Sequence, residues 1–312
     1  MGEIVGAGLL SHAPVVMFNE SFRIAANGGR DFTLATGLHR LRQEVFEQVG
    51  HETVVVIDSH WATTTEFVVT AHGKRAGIFT SSEMPTALKN IPYDLPGDPE
   101  LAHAIAQEAT DGGAWAAAVD DPYLPIQYAT LNLASYLAKP GKAWISISVC
   151  QTATFEDFQQ MGRAMSRAIT KTRRRVILLA SGGLSHVFHP LAQIRRHMSG
   201  DPENIINDEA RAADQDRIEW LMAGQHRRVI QAMPEFLKFA PEARFGHYLL
   251  LAGALGGEEC TLPAERLSEY ESGIGTGQVH LWFRPRELKC SRTSPRNLDD
   301  CCGHSETKLK AI

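Results

Sequence analysis

The chain is poor in cysteine, and the five it has are badly placed for a disulfide framework. Cys150 and Cys260 stand alone, and Cys290, Cys301 and Cys302 crowd the last stretch. An odd count at irregular spacing is not the pattern of a small secreted scaffold, and Cys301-Cys302 with His304 lacks zinc-finger spacing. No apolar run approaches the roughly 20 residues that cross a bilayer. The first residues contain no basic segment followed by an apolar core and a small-residue cleavage site, so a secretory signal is not expected. The expectation is a cytoplasmic protein that makes no use of a membrane. Charge of one sign is not in excess either: 31 Lys and Arg face 36 Asp and Glu, for a net charge of −5. The basic run Lys171-Thr172-Arg173-Arg174-Arg175 is short and suits a helix C-terminus, so nucleic acid is not an expected partner.

Several signature loops are missing as well. There is no P-loop and no H-E-x-x-H pair, which lowers the case for a nucleotide enzyme or a helix-borne zinc protease. Gly273-Ile274-Gly275-Thr276-Gly277 precedes a strand-like run rather than a helix and does not form a dinucleotide fingerprint. The stretch from Ser181 to Val187 fails as a nucleophile elbow, because Val187 stands where a glycine is required.

What is present is a strand–helix alternation. Residues 3–10, 53–57, 65–71, 114–119, 142–149, 175–180 and 276–284 read as strands. The run 53–57 is branched and apolar throughout, as in a strand covered on both faces. Helical periodicity marks 31–49 (Asp31 as cap, then Leu34, Leu38, Leu41, Val45 and Phe46), 98–110, 128–137, 155–170 and most of 202–255. Residues 80–98 hold three prolines after residue 84 and a turn cluster, which predicts a long irregular excursion. With 44% hydrophobic residues over 312 positions, the pattern predicts one α/β domain over 1–285. Its central sheet is expected to be mostly parallel or mixed, with helices on both faces. Residues 286–312 are polar and aperiodic and are expected to be a disordered tail.

Three of the strand-like runs end on a histidine: His12, His60 and His186. Ligands in open α/β sheets sit beyond the carboxyl ends of strands, so three histidines so placed predict a shared site. Two neutral imidazoles and one carboxylate form the facial set of non-heme Fe(II) oxygenases, with positions left for substrate and oxygen. A third imidazole would then be free for acid–base work near neutral pH. Spacing alone does not say which histidine stands apart, nor which of the 36 acids completes the set.

These residues carry a resemblance. Leu10-Ser11-His12-Ala13-Pro14, Asp58-Ser59-His60-Trp61, the run from Leu179 to His186 (Leu-Ala-Ser-Gly-Gly-Leu-Ser-His) and Gly275-Thr276-Gly277-Gln278 resemble, in order, the landmarks of the class III extradiol ring-cleavage dioxygenases. That family is typified by the catalytic subunit of protocatechuate 4,5-dioxygenase, and the similarity spans roughly residues 3–284. The stretch from Phe79 to Pro85, with Pro99-Glu100-Leu101, most resembles members that cleave homoprotocatechuate (3,4-dihydroxyphenylacetate).

The resemblance implies Fe(2+) as cofactor, with His12, His60 and Glu242 as its ligands and His186 as the acid–base residue off the metal. Glu235, near Glu242, reads instead as a solvated helix face. Many relatives carry Asp-His-Gly where this chain has Asp120-Asp121-Pro122-Tyr123, so the contact to the second substrate oxygen is open. Tyr123, Gln127 and Tyr128 are candidates, as are His189 and His247, and Arg244 could meet an acidic substituent. The implied reaction is insertion of O2 into the ring of a catechol, such as 3,4-dihydroxyphenylacetate, to give a semialdehyde. A small aromatic substrate, O2 and a second copy of the chain are the implied partners. A 2-aminophenol or dihydroxypyridine in the same site, a zinc hydrolase on the same ligands, and a non-catalytic binding protein of this fold are the alternatives.

Overall fold

A computed structural model describes residues 1–284. The expected tail, the domain end at 285 and Cys290, Cys301 and Cys302 lie outside the described residues. Twelve strands occur among them. They are β1 (Glu3–Leu10), β2 (Thr53–Thr63), β3 (Phe67–Thr70), β4 (Lys74–Phe79), β5 (Ile91–Pro96), β6 (Ala116–Val119), β7 (Ala143–Cys150), β8 (Arg175–Ser181), β9 (Ala264–Arg266), β10 (Glu271–Gly273), β11 (Thr276–Gln278) and β12 (His280–Phe283). The α-helices are α1 (Glu20–Ala26), α2 (Thr33–Leu41), α3 (Pro99–Asp111), α4 (Tyr128–Leu137), α5 (Phe155–Thr172), α6 (Asp208–Met222), α7 (His226–Gln231), α8 (Met233–Phe236) and α9 (Gly246–Leu255). No helix among the described residues is long and apolar enough to cross a membrane.

Eight strands form one sheet in the order β6-β3-β7-β2-β8-β1-β12-β9. Its centre is parallel (β7 with β2, β2 with β8, β8 with β1), while β12 and β9 close one side antiparallel. Side chains alternate along β2, as the branched run 53–57 requires of a doubly covered strand. Val54 and Val56 pack with Leu34 and Leu38 of α2 and Leu133 of α4. Val55 and Ile57 pack on the other face, where Ile105 of α3, Met161 of α5 and Leu250 of α9 lie. Burying apolar surface on both faces is the main force that holds this three-layer arrangement together.

Local chemistry fixes the helix starts. Asp98 caps α3 by accepting from Leu101 N at 3.1 Å, Pro99 follows it, and Thr53 Oγ1 donates to the same carboxylate at 2.8 Å, tying the helix to β2. Thr154 and Asp157 form a capping box at α5. Asp31, the expected cap of α2, is used otherwise: Arg23 grips its carboxylate through Nε and Nη2, both at 2.7 Å. The free amides of Thr33 and Leu34 donate instead to Glu271, at 2.9 and 3.1 Å. The helix also stops at Leu41, in a π-helical turn over Arg42–Phe46.

Two further expectations change. The irregular excursion over 80–98 contains β5, paired with β4 in a separate two-stranded sheet, where Pro92 and Pro96 are tolerated as on any edge. The expected closing strand 276–284 breaks at Val279, with β11 turning back on β10 and β12 entering the main sheet.

Candidate active site

Strands β2, β8 and β1 are neighbours and parallel, so their carboxyl ends open on one edge of the sheet, and each hands on a histidine there. After β1, Asn132 Nδ2 of α4 donates to the carbonyl of His12 at 3.0 Å and fixes the departing loop. The buried His12 ring places Nδ1 2.9 Å from Ser181 Oγ at the end of β8, which turns Nε2 to Glu242 Oε1 at 3.1 Å.

Strand β2 does not end at Ile57 as expected. It runs to Thr63, but Asp58 pairs with Ser148 of β7 and the next partner of β7 is Ala62, so Ser59, His60 and Trp61 bulge out of that ladder. Buried Asp58 pins the bulge: one carboxylate oxygen accepts from His60 N at 3.0 Å, and the other from Thr130 N and Oγ1 at 3.0 and 2.7 Å. His60 Nε2 then faces Glu83 Oε2 at 3.1 Å, and its ring centroid lies 5.7 Å from that of His12.

Strand β8 ends in Gly182-Gly183. Gly183 N donates to Glu242 Oε2 at 2.6 Å, Ser59 Oγ donates to Oε1 at 2.5 Å, and His186 Nε2 lies 3.7 Å from Oε2. The backbone that leaves Glu242 is strained. Ala243, Arg244 and Phe245 take φ of 47°, 57° and 60°, a left-handed turn that costs a non-glycine residue about 1–2 kcal/mol. Such strain clusters where function dictates the geometry.

Burial alone would raise Glu242 and lower His12. Their mutual attraction overcomes it, holding the carboxyl well below the usual range and the imidazole above its ordinary value. Burial pushes His186 below its ordinary value, and Glu242 opposes that without reversing it. An unprotonated imidazole at neutral pH follows for His186, fit to accept a proton. Burial, with Glu242 and Glu83 adding to it, lifts the Tyr128 phenol well above its usual value.

The donor set suits a divalent transition-metal ion. An imidazole nitrogen and a carboxylate oxygen lie side by side in a buried setting, where a cation would displace the proton between them. Ser181 engages the other nitrogen of His12, as outer partners do for metal-bound histidines. His60 lines the same chamber and brings a second imidazole to it. As the side chains stand, no three acidic, histidine or cysteine groups among the described residues form a ready cation group, and His60 Nε2 is turned to Glu83.

His12, His60, His186, Glu242 and Tyr128 thus line one chamber of about 260 Å³. Gln127 lines a neighbouring cleft with His60 and Tyr128, and Arg244 another with His60, His186 and Glu242. The remaining candidates lie elsewhere. Tyr123 is 91% exposed and lines none of these cavities. His189 stacks on His197 at 3.8 Å with Nε2 against the carbonyl of Asn204. His247 is fully buried under Gly182, where burial lowers its pKa to about 4 and keeps it neutral. Glu235 pairs with Lys238 on the surface, away from the histidines.

Four neighbours of the site went unassigned at the level of sequence: Asp58, Glu83, Ser181 and Asp214. The first three sit in or beside the motifs quoted above. Asp214 of α6 had no such pointer; it accepts from Ser185 N, Ser185 Oγ and Tyr270 Oη at 2.9, 2.6 and 2.6 Å, steadying the residue before His186.

Residues 6–284 match the family described as the catalytic LigB subunit of aromatic ring-opening dioxygenases. The 3,4-dihydroxyphenylacetate 2,3-dioxygenase of Escherichia coli is 25% identical over 262 residues, covering 82% of this chain and 91% of that protein. A 2-aminophenol 1,6-dioxygenase beta subunit from a Pseudomonas species is 26% identical over 295 residues, covering 89% and 93%. The crystal structure of an uncharacterized protein from Escherichia coli K12 shares the fold, with a TM-score of 0.60 at 16% identity over 89% of this chain and 99% of that one. The family match spans nearly every described residue, and the chain belongs to the LigB family of aromatic ring-opening dioxygenases, the class III extradiol group.

Proposed function

We propose that this ring-cleaving dioxygenase is Fe(II)-dependent and opens a catecholic ring beside its diol to give a semialdehyde. His12, His60 and Glu242 would hold the iron and His186 would move the proton. The observation that carries this reading is the meeting of three histidines with one buried carboxylate in a single chamber. Iron, when bound, supplies the electron chemistry by which O2 reacts with an aromatic ring.

The chain's own residues do the rest. Ser59 Oγ and Gly183 N hold the Glu242 carboxylate in a fixed orientation, and Ser181 does the same for His12, so the donors need not reorganise. His186 Nε2 takes a proton from a substrate hydroxyl and returns it later in the turnover. Tyr128, with its ring 4.3 Å from that of His60, presents an aromatic face to a flat substrate. A substrate seated in the largely apolar chamber would displace water from the reacting groups.

The test is anaerobic reconstitution with Fe(II), followed by O2 uptake and product spectra on a panel of catechols and aminophenols. Uptake with a yellow ring-opened product is expected; no uptake by iron-loaded protein across the panel contradicts the reading. Cleavage of a 2-aminophenol is the second reading, favoured by the name of the Pseudomonas relative, and its distinct product spectrum separates the two. The name of that relative includes a subunit designation, which supports assembly with a second copy or another chain, checked by solution mass.

A further inference from the structure

The histidines and Glu242 form only part of the chamber lining, and the other walls decide what can lie against them. Those walls are largely apolar: Phe18 and Phe22 from the start of the chain, Phe188 and Met198 from the segment after His186, and Ile274 before β11, with Ser272, Thr276 and Gln278 as neutral polar neighbours. Phe22 is 44% exposed and Phe188 49%, so the chamber meets solvent between large apolar side chains. Exposed apolar surface of this kind, set in a concave site, marks a place built to be covered by an apolar group.

Charge points the same way. Among the described residues no arginine or lysine lines the chamber, while two acids, Glu83 and Glu242, do. A carboxylated ring with its diol on the metal would bring its anion among apolar side chains with no arginine or lysine to meet it. Arg244 serves a different cleft, and its Nη1 already donates to the carbonyls of Gln151 and Ala153 at 2.9 Å each.

We infer that the substrate ring carries an uncharged, apolar substituent, an alkyl or aryl group held between Phe22 and Phe188, and not the carboxylate of an aromatic acid. This deepens the ring-cleaving reading and rests on it. It sets the chain apart from the E. coli relative, whose name specifies an acidic substrate. Each methylene that enters the chamber is worth about fourfold in affinity, the equivalent of about 0.8 kcal/mol.

The experiment compares a matched pair, 4-butylcatechol and 3-(3,4-dihydroxyphenyl)propionate, on the full chain. Binding is measured by anaerobic calorimetric titration with and without Fe(II), and turnover by O2 uptake. The neutral ring is expected to bind at least about tenfold tighter and to lead in kcat/KM, with affinity rising from methyl- to butylcatechol. Equal binding, or a preference for the acid, overturns the inference. So does an acid preference that vanishes in Arg244→Ala, which would put the substituent in the other cleft.

Phe22→Arg places a cation at the exposed edge of the chamber. It is expected to narrow the preference by about tenfold or more. An unchanged preference in a variant with wild-type melting behaviour overturns the placement. Binding of the apolar ring without turnover of any ring supports this inference and sinks the proposed reaction. Faster cleavage of the acid does the opposite.

Discussion

Alanine at position 182 would test how tightly the turn after β8 is packed, and whether that packing reaches the site. The added Cβ would lie 2.6 Å from Cε1 and Nε2 of His247 and 2.8 Å from Cδ2. Carbon contacts settle near about 3.5–4.0 Å, so the ring or the turn must give by about 1 Å. His247 is fully buried at the start of α9, so its ring cannot swing out into solvent without opening the core. Over-packing of a dense interior costs about 1–3 kcal/mol, and that loss is expected in urea unfolding. The same turn carries Gly183 N, whose bond to Glu242 is 2.6 Å, so anaerobic Fe(II) titration should show affinity falling by about tenfold or more. The clash has a diagnostic partner: His247→Ala leaves a cavity that the new methyl can enter. The double variant should therefore be less destabilised than the sum of the singles by about 1 kcal/mol or more. Strictly additive costs, or a Gly182→Ala variant as stable as wild type, would refute the reasoning.

His186→Ala should keep its Fe(II) and lose about 10²–10⁴-fold in kcat, measured by metal content and O2 uptake on the same sample. Asp214 offers a pH test. Burial raises its pKa from 3.8 to about 6, so the folded state gains stability while the group is protonated and loses it as pH rises through about 6. The loss is about 3 kcal/mol, and Asp214→Asn lacks it. Urea unfolding from about pH 4 to 7 should therefore show the stability difference moving toward the variant by roughly that amount, and a flat difference would contradict the assignment.

The central sheet was legible because β2 and β8 carry branched runs that only a doubly covered strand tolerates, and the start of α3 because its capping signal at Asp98 acts within a few residues. The histidines were legible because each sits just beyond or at a bulge of such a strand. What escaped were effects that depend on distant partners. Asp31 reads as a cap until Arg23 claims it, and α2 is then capped from Glu271, far along the chain. The bulge at His60 follows from Asp58 bonding to Thr130, which no local pattern announces. Glu242 could be named only through resemblance, since the left-handed turn that leaves it has no glycine to mark it. Tyr123 was a reasonable aromatic candidate by position, yet its loop carries it out into solvent.

The claim on which the rest depends is that His12, His60 and Glu242 hold one metal ion and His186 does not. Its most direct measurement is iron content after anaerobic loading and desalting, for the wild-type chain and for His12→Ala, His60→Ala, Glu242→Ala and His186→Ala. The account predicts one Fe(II) per chain in wild type and in His186→Ala, and little in the other three. Full iron in Glu242→Ala, or none in His186→Ala, would contradict it.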